Sequence, residues 1–324
     1  METIERKAPL VQMLSAAAKG KADGDALGRI REASMDMGKD IHNPQTRYLM
    51  AQLITYAAQE LFAENTQYLR EIADTKTIGG NDAAEFYTDY DEAFAVIQAE
   101  NASTPRWQPA RKSIVLDTFE IASRFRVSGY DLADGKADLG QLTLQAASRM
   151  EEALAGKIME ALAASYDGTN IASPFYGEGS GVVTTALDPI IRYYQRFGSV
   201  NLLGDIEILD KLASAGDKDW RSDDMKNEYN NLGYLGKYKG ANAVVLANGY
   251  AKDGKTPIIT PSLLFVVPNG EVSPLKLVIK GDMLNNSGEV LDTGHYEVSL
   301  RQRYGVGVVY GKVPMLGVYK NTGD

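Results

Sequence analysis

One segment constrains this chain more than any other: Asp138–Tyr166, "DLGQLTLQAASRMEEALAGKIMEALAASY". Leu142, Ala146, Met150, Leu154, Ile158 and Leu162 recur every four residues. That spacing predicts an apolar stripe along one side of a helix. Arg149, Glu151, Glu152, Lys157 and Glu160 fall mainly elsewhere on the wheel. Asp138 is a natural cap and Asp167-Gly168 a natural stop. At about 1.5 Å per residue the segment is a rod of about 40 Å, and a compact fold has to be built along it.

The sequence around this rod is mixed. Residues 1–76 read as helical, with Leu49, Leu53, Ala57, Leu61, Tyr68 and Ile72 near helical period. Asn43-Pro44 suits a helix start, Asn as cap and Pro in the first turn. Lys19–Gly28 is rich in Gly and Ala and is expected to be loosely attached. The period then changes. Glu85–Ala99 reads as strand, Glu100–Arg111 as a loop around Pro105, Trp107 and Pro109, and Lys112–Ser128 as one or two strands bending near Asp117-Thr118. Residues 77–118 thus suggest a long two-stranded excursion. Further on, Ala186–Gly198 and Asp205–Gly216 read as helices ending at Gly. Asn242–Asn248, Pro257–Pro268, Ser273–Met283 and most of His295–Lys320 read as strand. Helices and strands intersperse without regular βαβ alternation, so the class is α+β.

Little in the chain points to chemistry. There is no cysteine, which removes disulfides and thiolate chemistry. The two histidines, His42 and His295, are far apart and sit in no ligand pattern. "YGEGSGV" (Tyr176–Val182) imitates a phosphate loop but lacks its Lys, and reads better as a flexible loop. "DKDWRSDDMKNEY" (Asp217–Tyr229) lacks EF-hand spacing and reads as a solvated charged loop. "TDYDEAF" (Thr88–Phe94) reads as an edge strand guarded by charge. A carbohydrate- or metal-dependent enzyme built on these acidic segments stays open as an alternative. The net charge of −9 argues against tight nucleic-acid binding over a broad surface. No stretch approaches the length of a membrane span.

What stands out is architectural: an arm, an excursion carrying Trp107, a long helix, and a closing Arg- and Gly-bearing strand, "LRQRYGVGVVYG" (Leu300–Gly311). The segment "RKSIVLDTFEIASRFRVSGYDLADGKADLGQLTLQAASRMEEALAGKIMEALAAS" resembles the strand-then-spine-helix region of tailed-bacteriophage major capsid proteins. "ITPSLLFVVPNGEVSPLKLVIKGD" and "HYEVSLRQRYGVGVVYGKVPMLGVY" are similar to later strands of that family. The resemblance covers about 77 to 320 and implies the Hong Kong 97-type fold. It implies an N-terminal helical arm at 1–76 and an extended E-loop at 77–118, with its tip near Pro105–Pro109. A peripheral domain would take 119–168 and 276–324, with spine helix 138–166, and an axial domain 169–275. The implied function is self-assembly into an icosahedral shell around packaged double-stranded DNA, in the virion, without catalysis, cofactor or metal. Assembly would occur in the host cytoplasm.

Implied partners are other copies of the chain in hexamers and pentamers, with scaffold, portal and decoration proteins. With little sequence before the arm, a separate scaffold or none is expected. No Lys, Asn and Glu are assigned to the covalent crosslink that one member type forms. An encapsulin-type nanocompartment shell, which shares the fold, is the runner-up.

Arg106, Trp107, Arg111, Arg301 and Arg303 are the candidate inter-subunit contacts. Arg301 and Arg303 share one face of a strand and suit carboxylates of an adjacent subunit or element. The plainer reading is an edge strand with two solvated arginines. Gly305, Gly307 and Gly311 would permit close backbone approach or a bend.

Overall fold

The computed structural model describes residues 13–14, 16, 24–90, 110–165, 174–215, 222–246, 248–250, 253–257, 259–269, 273–290, 295–310 and 315–323. The chain divides into two compact units: Met1–Gln67 with Phe119–Leu154 and Ile279–Tyr304, and Tyr68–Thr118 with Ala155–Val278 and Gly305–Asp324.

In the first unit, helix α1 spans Gly24–Lys39 and α2 spans Pro44–Asn65. The α2 start follows its sequence signal: the Asn43 side chain accepts the Gln45 N–H at 3.0 Å, and Pro44 occupies the first turn. Residues 24–28 of the Gly- and Ala-rich segment are helical, forming the first turns of α1, and Gly24, Asp25, Leu27 and Gly28 are exposed there. At Gly38 a Cβ would stand 2.5 Å from the Ala133 nitrogen, so this glycine lets α1 lie against a short helix, α4, at Gly129–Ala133. Met50, Ala51, Ile54, Ala57, Ala58, Leu61 and Phe62 form the buried face of α2. Leu61 packs with Ala147 and Leu144.

Those last two residues belong to α5, Leu139–Ala164, which is the rod read from the sequence. Asp138 caps it by accepting the Gly140 N–H at 2.7 Å. Of the four-residue series, Ala146, Met150, Leu154, Ile158 and Leu162 are buried. Ala147, Ala155 and Met159 are buried beside them, so the apolar face is wider than one row. The stop at Asp167-Gly168 lies outside the described residues.

Strands β4 (Thr118–Ser128), β10 (Leu275–Val290) and β11 (His295–Val308) are the long strands. They form a sheet in the order β1-β10-β11-β4, with β1 at Asp74–Ile78. Within the first unit this sheet meets α2 through named bonds. The Tyr296 hydroxyl donates to the Arg47 carbonyl at 2.8 Å. The Asn285 amide donates to Thr55 Oγ1 at 2.7 Å. The Phe62 and Tyr304 rings lie 5.7 Å apart.

In the second unit, α3 (Leu69–Ile72) precedes β1, and β2 (Glu85–Tyr90) pairs antiparallel with β3 (Ala110–Val115). The bend expected near Asp117-Thr118 is the break between β3 and β4. A six-stranded sheet has the order β5-β12-β9-β6-β8-β7. Its strands are Tyr176–Gly179, Gly317–Asn321, Leu263–Pro268, Val200–Gly204, Ala241–Val245 and Lys237–Tyr238 in that order. Helices α6 (Thr184–Tyr194) and α7 (Ile206–Ser214) cover it, burying Leu187, Ile190, Ile191, Ile208, Leu209 and Leu212 against Leu202, Leu264, Val266 and Tyr319. Burial pushes the Tyr194 phenol's pKa up, and its hydroxyl donates to the Met315 carbonyl at 2.5 Å.

Three local expectations are corrected here. "YGEGSGV" is not a flexible loop: Tyr176–Gly179 pairs in parallel with β12. Tyr319 then ties the turn down, its hydroxyl donating to the Gly181 carbonyl at 2.9 Å and accepting from the Val183 N–H at 2.8 Å. The charged segment 217–229 holds a helix, α8, Asp223–Leu232, because the Ser222 hydroxyl caps it by accepting the Met225 N–H. Among the described residues of Pro257–Pro268, Leu263–Pro268 alone is strand. The Asn248 side chain clamps Ile259, accepting its N–H at 2.9 Å and donating to its carbonyl at 3.2 Å. Strand β12 itself lies between β5 and β9.

Gly317 makes that position of β12 possible. A Cβ there would stand 2.6 Å from Ile190 and 2.7 Å from Tyr194. Gly317→Val is expected to lower the unfolding free energy by about 1–3 kcal/mol. The check is the urea midpoint against Gly80→Ala, a site with no atom within 4 Å, which should shift stability by less than about 0.5 kcal/mol.

Candidate assembly surface

The pleat of β11 separates two kinds of residue. Tyr296, Val298, Leu300, Gln302 and Tyr304 are buried, whereas Glu297, Arg301 and Arg303 stand on the other face with Ser299. Strand β4 repeats the division: Ile121 and Val127 are buried, and Glu120, Ala122, Arg124 and Arg126 are exposed. The two strands are neighbours in the sheet, so the charged residues meet.

They meet reciprocally. Glu120-Ile-Ala-Ser-Arg124-Phe-Arg126 and Glu297-Val-Ser-Leu-Arg301-Gln-Arg303 have the same E-x-x-x-R-x-R spacing. Arg124 and Arg126 both donate to Glu297, Arg126 through Nη2 at 2.9 Å and Nε at 3.1 Å. Arg301 and Arg303 both face Glu120, at 3.4 Å and 3.9 Å. The contacts run in opposite directions along the chain, as antiparallel neighbours require. Each glutamate thus serves two arginines, and each cluster keeps an excess positive charge. The Arg124 hydrogen bond first, then that of Arg126, holds the Glu297 carboxyl below the usual carboxylate range.

Between β10 and β11 the face dips into a depression of about 360 Å³. Arg124, Arg301, Glu289, Glu297, Ser299, Asn286, Ser287 and Gly288 line it, and Glu289 is itself paired with Arg47 at 2.8 Å.

The hairpin of the second unit offers a different surface. Its register runs from Glu85↔Val115 to Tyr90↔Ala110. Phe86 is buried with Ala84 and Val278, against Ile78 and Leu116. The opposite face shows Tyr87 and Val115, 57% and 61% exposed. Gly305 and Gly307 allow the close approach expected of them: a Cβ at Gly307 would stand 2.7 Å from Leu116, and one at Gly305 3.3 Å from the Asp117 carbonyl.

Of the five candidate contacts, Arg301 and Arg303 come together, on the carboxylate of an adjacent element of their own chain. Arg111 pairs with Asp89 in the hairpin register. Arg106 and Trp107 lie outside the described residues, as does Gly311. Sequence reading missed Glu120, Arg124, Arg126 and Glu297, although the spacing shared by the two strands was visible. Among the described residues no three His, Cys, Asp or Glu side chains gather as a metal site, and no helix is long and apolar enough to cross a membrane.

The family model described as "SPbeta prophage-derived putative capsid protein YonB" matches residues 2–320. The chain belongs to this capsid-protein family. No curated protein sequence matches it. Solved structures share its fold at low identity. The capsid of an empty GTA particle superposes with a TM-score of 0.51 at 13% identity, covering 80% of this chain and 89% of that one. The structure titled Gordonia phage Cozz gives 0.51 at 12%, covering 77% and 84%. Mycobacterium phage Adephagia gives 0.51 at 12%, covering 78% and 88%. The fold is therefore α+β of the Hong Kong 97 type, and the protein is a structural major capsid protein.

The Glu297 cluster carries a pH dependence. Its folded pKa lies below the unfolded value, so its stabilisation is present above the ordinary carboxylate range, about pH 4.3. It is lost as pH falls through the depressed value. Glu297→Gln is expected to flatten this acid limb, measured as the denaturation midpoint against pH.

Proposed function

We propose that copies of this chain assemble, as hexamers and pentamers, into a closed icosahedral head shell that encloses double-stranded phage DNA. The observation that carries this reading is the capsid-family match over residues 2–320. The chain acts by packing against its own copies and performs no catalysis. The encapsulin-type reading has less support, because the matching family is described as prophage-derived capsid protein. Scaffold, portal and decoration proteins are the further partners of this reading, and host cytoplasm the place of assembly.

Within the shell, 1–76 serves as the arm, 77–118 as the extended loop, 119–168 and 276–324 as the peripheral domain, and 169–275 as the axial domain. The β2–β3 pairing supports the loop assignment. The strand order qualifies the last boundary, since β12 shares a sheet with β5 and β9. Arg106, Trp107 and Arg111 meet neighbouring subunits from the loop, and Arg301 and Arg303 from the sheet.

Negative-stain microscopy of the purified chain, with its size-exclusion profile, tests the reading. Closed shells or rings of five and six are expected; a monomer that persists when a scaffold is also supplied would refute self-assembly. Trp107 supplies a second test. The chain has two tryptophans, so Trp220→Phe leaves Trp107 as the single reporter. Its emission is expected to shift to shorter wavelength on assembly, and an unchanged spectrum would remove it from the interface.

A further inference from the structure

The two Arg-Arg-Glu clusters place an excess of positive charge on one sheet face of an otherwise acidic chain. Four arginines share two glutamates there, while the whole chain carries −9. All four guanidinium groups are open to solvent: Arg124 is 69% exposed, Arg126 50%, Arg301 45% and Arg303 51%. A guanidinium has five donors in a fixed fork, and these contacts leave several of them unused. At 3.4 Å and 3.9 Å the Glu120 contacts are long, so Arg301 and Arg303 can turn to another carboxylate at little cost.

Strands β4 and β11 carry no lysine. Arginine is more weakly hydrated than lysine and grips a carboxylate with two parallel bonds, which suits an ion pair covered by a partner. The small polar residues Ser299, Asn286 and Ser287 line the depression beside Arg124 and Arg301 and leave room for an incoming side chain. Leu284, exposed on β10 between inward Met283 and Asn285, adds an apolar contact on the same strand.

Resting on the capsid reading, we propose that this face is an interface between copies of the chain, and that the depression between Arg124 and Arg301 receives a carboxylate from a second copy. Charge complementarity selects the partner. Two copies at −9 repel each other over most of their surfaces. An arginine-rich face is where a second acidic copy is attracted, and the attraction sets orientation and rate of encounter. A nucleic acid backbone is the competing anion, and the nucleic acid content of the shells separates the two.

The experiment compares the unaltered chain with Arg124→Glu/Arg301→Glu and with the neutral Arg124→Gln/Arg301→Gln. Shell yield is measured by sedimentation and microscopy, nucleic acid content by absorbance ratio, and folding by circular dichroism and thermal melting. Both variants are expected to fold. The Gln pair should need an about tenfold or higher concentration to assemble, and the Glu pair should form no shells. Raising salt from about 0.1 M to about 1 M, which shortens screening from about 10 Å to about 3 Å, should weaken assembly of the unaltered chain more than that of the Gln pair. Normal assembly of both variants would overturn this inference and leave the capsid reading standing. Normal shells that have lost nucleic acid would overturn it in favour of a nucleic-acid contact. Failure of the unaltered chain to associate, alone or with a scaffold supplied, would overturn self-assembly and this inference with it.

Discussion

The pleat of β11 is the constraint on which the first unit depends. Its even-numbered residues bind the helix side, Tyr296 through its hydroxyl to Arg47 and Tyr304 through its ring to Phe62. Its odd-numbered residues hold the charge clusters. A slip of one residue would turn Arg301 and Arg303 into the apolar core and Leu300 and Tyr304 into water. The apolar face and the charged face therefore specify the same register. One is held by area removed from water, and the other by desolvation costs that forbid unpaired burial of arginine.

Helix α5 does comparable work by length. Its apolar face is two residues wide along most of its course, Ala146 with Ala147, Leu154 with Ala155, and Ile158 with Met159. The small pair Ala146 and Ala147 lets another element come close to the helix axis without leaving a void. Leu61 of α2 uses this gap against Ala147.

Much of this was legible. The α5 stripe, the Asp138 cap, the Asn43-Pro44 start and the break between β3 and β4 are local signals, and local signals act before tertiary packing. The helix at Asp223–Leu232 escaped because its charged residues mask a narrow Met225, Tyr229, Leu232 stripe between the Ser222 and Gly233 caps. The ends of β9 escaped because Asn248, eleven residues upstream, decides where Ile259 lies. The reciprocal clusters are harder still. Both strands print E-x-x-x-R-x-R, but residues more than 170 apart must be laid side by side and reversed before each glutamate faces the other strand's arginines.

The place of β12 bears on how the chain is made. A strand formed from Gly317–Asn321 lies between β5 and β9, and among the described residues β5 has no other neighbour in its sheet. Translation delivers that strand after every other strand of the sheet. Until it arrives, Tyr176–Gly179 has no ladder to join, and Ile190 and Tyr194 lack the backbone that packs on them. A chain that lacked Gly317–Asn321 would leave that sheet edge open, which invites proteolysis.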